Sequence, residues 1–144
     1  MECHKILIAI DDSPAAEHIA GSGYQLACQF GAEVALLSIE DTTIYDDDEL
    51  SLRERDPLIE RSSNTLQQYL INKIFKNVPV STFIERGKPA SVIIELSRSW
   101  NADMIVLGTH GRKGLSHLLM GSVAEEVMRN SSKPLVIIPI SEKR

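Results

Sequence analysis

Apolar residues along this chain gather into short runs, and between those runs they recur every third or fourth position. Ile6-Leu7-Ile8-Ala9-Ile10 is continuous, as a strand covered on both faces requires. Val34 to Ile39, Met104 to Leu107 and Leu135 to Ile138 read the same way. Val78 to Ile84 is a further strand, and Pro79, unable to donate to a ladder, suggests a sheet edge. The first strand ends at Asp11-Asp12-Ser13-Pro14, where Ser13 suits a helix N-cap and Pro14 the first helical position. Ala16, Ile19, Ala20, Gly23, Leu26, Ala27 and Phe30 follow at helical spacing, up to a good stop at Gly31. A second helix is predicted from Leu58 to Phe75, with Ile59, Leu66, Tyr69, Leu70 and Ile74 facing inward. A third opens at Gly87-Lys88-Pro89 and carries Val92, Ile93, Leu96 and Trp100 on its apolar stripe; a fourth runs to Ser131. Residues 41–57, polar and acidic, read as a long surface connection.

Strands and helices therefore alternate through all nine elements, which implies a parallel sheet with helices on both faces. Ligands of such sheets bind outside the carboxyl ends of the strands, where the strand order reverses. If the order is 3-2-1-4-5, the reversal falls between strands one and four, and Asp11 and Gly108 both stand at that end.

The strongest chemical signal lies there. Gly108-Thr109-His110-Gly111 leaves the fourth strand, and Gly121-Ser122 enters the fourth helix. Glycines in a strand-to-helix turn let backbone approach a ligand closely. The first N–H groups of the helix have no partner inside it, so an anion such as phosphate is the natural guest. Other phosphate motifs fail: Gly111-Arg112-Lys113-Gly114 lacks the Gly-Lys-Ser/Thr ending of a P-loop. Gly21-Ser22-Gly23 has Leu26 where a dinucleotide fingerprint needs Gly or Ala, so it reads as close helix packing. Asp11-Asp12 is similar to the acidic pair of receiver domains, but the third strand ends in Glu85-Arg86 and the fifth in Pro139-Ile140, without the matching aspartate and lysine. His4, His18, His110 and His117 show no metal-ligand spacing, no serine sits in a Gly-x-Ser-x-Gly elbow, and no nucleophile–base pair stands out.

Composition narrows the classes further. A length of 144 residues suits one domain spanning 1–144. Net charge is −5, concentrated between Glu40 and Asp56, where eight acids face only Arg53 and Arg55. The remainder is near neutral and aromatic residues are 5%, so neither a basic face nor a stacking platform for nucleic acid is expected. No apolar run approaches the ~20 residues of a membrane span. The start, Met1-Glu2-Cys3-His4-Lys5, has no signal-peptide pattern. Cys3 and Cys28 form no motif, which suits a reduced, cytoplasmic setting.

Three separated motifs carry a family resemblance. They are Ile6-Leu7-Ile8-Ala9-Ile10-Asp11-Asp12-Ser13, the spacing Gly108-x2-Gly111-x9-Gly121-Ser122, and Lys133-Pro134-Leu135-Val136-Ile137-Ile138-Pro139. Together they resemble the universal stress protein family from end to end. The fold then expected is three-layer α/β/α, with a five-stranded parallel sheet in the order 3-2-1-4-5. The resemblance implies binding of ATP, with ADP or AMP as alternatives and Mg²⁺ as a companion. In that reading Ala9 and Ile10 line the pocket floor, Asp11 lies at the ribose, and Ile39 meets the adenine. Leu107, Gly108, His110 and Gly111 wrap ribose and phosphates, and Gly121, Ser122 and Val123 receive the phosphates. Arg112 and Lys113 can offset phosphate charge, or else be ordinary solvated loop charges. Ser122 also forms a capping box with Glu125, and Asp11 is a candidate helix cap. Two departures are Ala124, where ATP-binding members often place a hydroxyl, and Ala9, where some place proline.

Three activities follow: a nucleotide-sensing stress-response regulator, a slow Mg²⁺-dependent ATPase using His110 or Asp11, and an interaction module with a vestigial pocket. The flat apolar run Leu135 to Ile138 is an edge that invites pairing with another chain. The family commonly dimerises through this strand, so a homodimer through residues 135–139 is expected, with no nucleic-acid or membrane partner.

Overall fold

A computed structural model describes residues 2–42, 57–109 and 121–140. Nine elements follow one another: β1 (Lys5–Ile10), α1 (Ala16–Phe30), β2 (Glu33–Asp41), α2 (Pro57–Lys73), β3 (Val80–Gly87), α3 (Pro89–Ser99), β4 (Met104–Gly108), α4 (Ser122–Asn130) and β5 (Leu135–Ile138). The sheet has the order β3-β2-β1-β4-β5, with every neighbouring pair parallel. The expected architecture therefore holds, including the edge positions of β3 and β5.

Strand alternation divides the apolar side chains into two cores. Ile6, Ile8, Ile10, Val34, Leu36 and Val106 pack on one side with Ile19, Ala20 and Ala27 of α1 and Leu70 of α2. Leu7, Ala9, Ala35, Leu37, Ile105 and Leu107 pack on the other with Ala90 and Ile93 of α3 and Ala124 and Val127 of α4. Strands in the middle of the sheet are thus apolar on both faces, which is why their sequences run continuously rather than alternating. The chain winds outward from β1 through α1 and α2, then crosses back to β4, so the topological reversal lies between β1 and β4.

Several local readings change. Helix α1 begins at Ala16, not at Pro14. Asp11 Oδ1 accepts from the Ser13 N–H at 2.9 Å and Ser13 Oγ accepts from the Ala15 N–H at 3.3 Å. Two side-chain turns thus occupy the stretch expected to be a simple N-cap. The stop is as expected, with Gly31 at φ 66° and ψ 37° and its N–H returned to Ala27 and Cys28. Strand β2 runs on through Glu40 and Asp41, and β3 starts after Pro79 and extends to Gly87. On α2, Tyr69 is 49% exposed rather than inward; its hydroxyl donates to Glu17, beside a Lys73–Glu17 ion pair of 2.7 Å. The inward position belongs to Gln67, whose Nε2 donates to Leu36 O, Ser38 Oγ and Phe83 O at 2.9–3.2 Å.

Close packing of α1 on β1 explains one glycine of the Gly21-Ser22-Gly23 stretch. A Cβ at Gly23 would overlap Ile8 Cδ1, whereas one at Gly21 would meet open space.

At the opposite end of the sheet from the reversal crevice, Asp103 Oδ2 accepts from the His4 and Lys5 N–H groups at 2.8 and 3.0 Å. The His4 amide bond is the main cause that holds this carboxyl below its ordinary range. A depressed native pKa means stability present above the unfolded value, about 3.9 for Asp, and lost as pH falls through the native one. Asp103→Asn is therefore expected to lower the urea midpoint at pH 7 and to lose much of that difference at pH 3. An equal difference at both pH values would contradict the assignment.

Candidate functional site

The site is built at the carboxyl edge of the sheet, where α4 begins. Gly121 holds the N-cap position with extended backbone, φ −75° and ψ 168°. The expected capping box is not formed: among the described residues no side chain caps this helix, Ser122 is its first helical residue, and the Glu125 carboxylate pairs with Arg129 at 3.0 Å. The first bond of the helix is the Glu125 N–H donating to Gly121 O at 3.0 Å. The helix itself offers no acceptor to the N–H groups of Ser122, Val123 and Ala124. Those groups and the helix dipole make this end partly positive, suited to an anion.

Two bonds of Thr109 fix where that end lies. The Gly121 N–H donates to Thr109 O, and the Thr109 N–H donates to Ile138 O at 3.0 Å. Gly121, just before α4, is thereby brought against the tip of β4.

Strand register sets the rest of the row. Ile8 pairs with Val106, so continuing two residues places Ile10 level with Gly108. Ile10 pairs with Ser38, which puts Ile39 one residue beyond it. Ala9, Ile39, Leu107 and Val123 lie in or against the α3/α4 core and so share one side of this edge. The Ile10 side chain turns to the α1/α2 core, leaving its backbone as the part that can face a ligand. Gly108 also looks that way: a Cβ on it would lie 2.6 Å from Ile140 Cδ1 and 2.8 Å from Ile19 Cδ1. Packing of two isoleucines is thus a sufficient reason for glycine there. Asp11 is partly exposed at the β1 tip, its Oδ1 engaged by the Ser13 N–H. His110, Gly111 and Arg112, with Lys113, lie outside the described residues.

Two features escaped the sequence reading. Thr109, inside the motif but given no role, makes a third bond, its Oγ1 accepting from the Ile140 N–H at 3.1 Å. Glu40, counted among surface acids, has a side chain only 7% exposed that lies 2.7 Å from Arg86, directly opposite on β3. Among the described residues its oxygens make no hydrogen bond of good geometry, so charge rather than a linear bond holds the pair. The only sequence signal was alternation: Ser38 and Glu40 continue the inward face of β2. Among the described residues, no group of three or more His, Cys, Asp or Glu could hold a metal ion, and no helix is long and apolar enough to cross a membrane.

Comparison with known proteins agrees with this architecture. A model of the universal stress protein family matches residues 2–139. Universal stress protein MJ0531 of Methanocaldococcus jannaschii is 31% identical, over 96% of this chain and 84% of its own length. The chain spans 44% of the length of a Mycobacterium tuberculosis relative, universal stress protein Rv2005c. Among solved structures, that of protein MJ0577 superposes with a TM-score of 0.84 at 26% identity, covering 99% of this chain and 100% of that one. A universal stress protein from Archaeoglobus fulgidus in complex with dAMP superposes with a TM-score of 0.65 at 21% identity, covering 96% of this chain and 99% of that one. With its sheet order, its glycine-bounded helix start and a family match over nearly its whole length, this chain belongs to the universal stress protein family.

Proposed function

We propose that residues 1–144 form one nucleotide-binding domain that takes an adenine nucleotide, ATP foremost and ADP or AMP as alternatives. The observation that carries this reading is the uncapped start of α4 beside the β1 and β4 tips, its Ser122–Ala124 amides turned to no acceptor of the helix. Structural neighbours solved with dAMP and with cAMP support the adenine part of the reading. The phosphates would lie at Gly121, Ser122 and Val123, the ribose near Asp11 and Gly108, and the base against Ile39 and Ala9. Ser122 opens the helix, and its hydroxyl would donate to a phosphate oxygen. His110, Gly111, Arg112 and Lys113 complete the proposed site, and Mg²⁺ would offset phosphate charge.

The corresponding role is a nucleotide-sensing stress-response regulator in the cytoplasm, acting as a homodimer through residues 135–139. Strand β5 supports the dimer: it is an edge strand on which Leu135, Val136 and Ile137 are only half-buried. Titration calorimetry with ATP, ADP and AMP, each with and without Mg²⁺, is expected to show saturable binding of at least one of them. Light scattering is expected to give a mass near twice the 16.0 kDa chain. No heat from any of the three nucleotides would remove the binding reading, and a monomeric mass would remove the dimer.

A further inference from the structure

We propose that Thr109 is a positioning residue for the phosphate end of this site, holding the α4 amides in place through bonds that tie them to the chain beyond β5; the proposal rests on the nucleotide-binding reading above. Three bonds meet at this one residue. Its carbonyl accepts from the Gly121 N–H, the residue just before the amides that open α4. Its own N–H donates to Ile138 O at 3.0 Å, and its Oγ1 accepts from the Ile140 N–H at 3.1 Å. The residue that carries the Gly121 contact is therefore held from the β5 side by both backbone and hydroxyl. Ile140, fixed by that hydroxyl, presses its Cδ1 on the space a Cβ of Gly108 would fill. Gly108 in turn is the last residue of β4 and the first of the glycine motif.

The consequence is specific to phosphate. Anion binding by main-chain amides depends on where those amides point, and small displacements weaken several bonds at once. Base contacts at Ile39 and Ala9 belong to β2 and β1 and do not pass through Thr109. Removing the hydroxyl while keeping the side-chain shape should therefore lower affinity for phosphate-bearing ligands and spare the nucleoside.

Thr109→Val and Thr109→Ser, with the wild-type protein, are the test, using ATP and adenosine as probes in calorimetry. Loss of one neutral hydrogen bond corresponds to about a tenfold weakening of ATP binding in Thr109→Val, with adenosine affinity unchanged and ATP affinity restored in Thr109→Ser. A general loosening of the fold would weaken both ligands together and leave their ratio as it was, and that outcome would overturn the proposal. Wild-type protein that binds neither probe would fail the nucleotide-binding reading itself, and this one with it. A second measurement stands apart from the variants. Hydrogen exchange of the unliganded wild type is expected to show the Gly121 and Ile140 amides both protected. Free exchange of the Gly121 amide would overturn the proposal even if the valine variant failed to fold.

Discussion

Gly121→Val is expected to abolish measurable ATP binding while leaving the fold intact. The backbone at this position, φ −75° and ψ 168°, is extended and open to any residue, so valine introduces no strain there. Its effect on the helix is confined to the N-cap, where replacing glycine with an aliphatic residue costs about 1 kcal/mol. The effect on the ligand is larger. A branched side chain at the cap stands in front of the Ser122 and Val123 amides, where the phosphates are proposed to rest. Losing two charge-assisted bonds of about 1.5–3 kcal/mol each corresponds to at least a hundredfold in affinity. Calorimetry with ATP reads the loss, and a urea midpoint close to that of wild type shows that it is local. Unchanged affinity in a folded Gly121→Val protein would place the phosphates elsewhere.

Gly23→Ala is expected to destabilise the protein, against the ordinary preference of helices for alanine. That preference is worth about 1 kcal/mol. Here the new Cβ would overlap Ile8 Cδ1 and lie 2.8 Å from Ile8 Cγ1. Ile8 is wholly buried in the central strand and branched at Cβ, so it has no free space into which to turn. Overpacking of this kind costs about 1–3 kcal/mol, which outweighs the propensity gain. Ile8→Val on its own should also destabilise, by about 0.5–1.5 kcal/mol, because it removes a buried methyl. Combined, the two should be less harmful than their sum, since the methyl removed is the one the new Cβ meets. Urea unfolding of the two single variants and the double variant measures this coupling; simple additivity would contradict the packing account.

What the sequence made visible, and what it hid, follows from where side chains point. Strands β1 and β4 were legible because burial on both faces leaves no polar position to break the run, and β2 because the same holds from Val34 to Leu37. The α4 start was legible because Gly121 and Ser122 mark a boundary whatever makes the cap. The capping box failed because Glu125 has a competing partner one turn on, Arg129, and a glycine needs no side chain to end its extended backbone. On α2 the apolar stripe was read from hydropathy, which favours Tyr69 over Gln67. The sheet, however, presents carbonyls at Leu36 and Phe83 that the Gln67 amide satisfies. Ser13 is not the cap because the chain turns twice before the helix starts: its N–H goes to Asp11, its Oγ takes the Ala15 N–H, and Ala15 holds the N-cap position. Thr109 and Glu40 could not be found from residue type alone, because their roles depend on partners 31 and 46 positions away.

The site residues differ in how far the geometry constrains them. Ala9, Ile39, Leu107 and Val123 share one side of the sheet edge, whereas Ile10 offers only backbone and Gly108 is shaped by its isoleucine neighbours. The proposed nucleotide contacts therefore depend more on main chain than on side chains, and alanine scanning would understate them.

Amide chemical shifts followed by two-dimensional NMR during an ATP titration test the central claim most directly. The account predicts saturable shifts confined to Ala9–Asp11, Ile39, Leu107–Lys113 and Gly121–Ala124, with those at 121–124 absent when adenosine replaces ATP. Shifts that leave 121–124 untouched by ATP, or that gather on the outer face of α2, would contradict it.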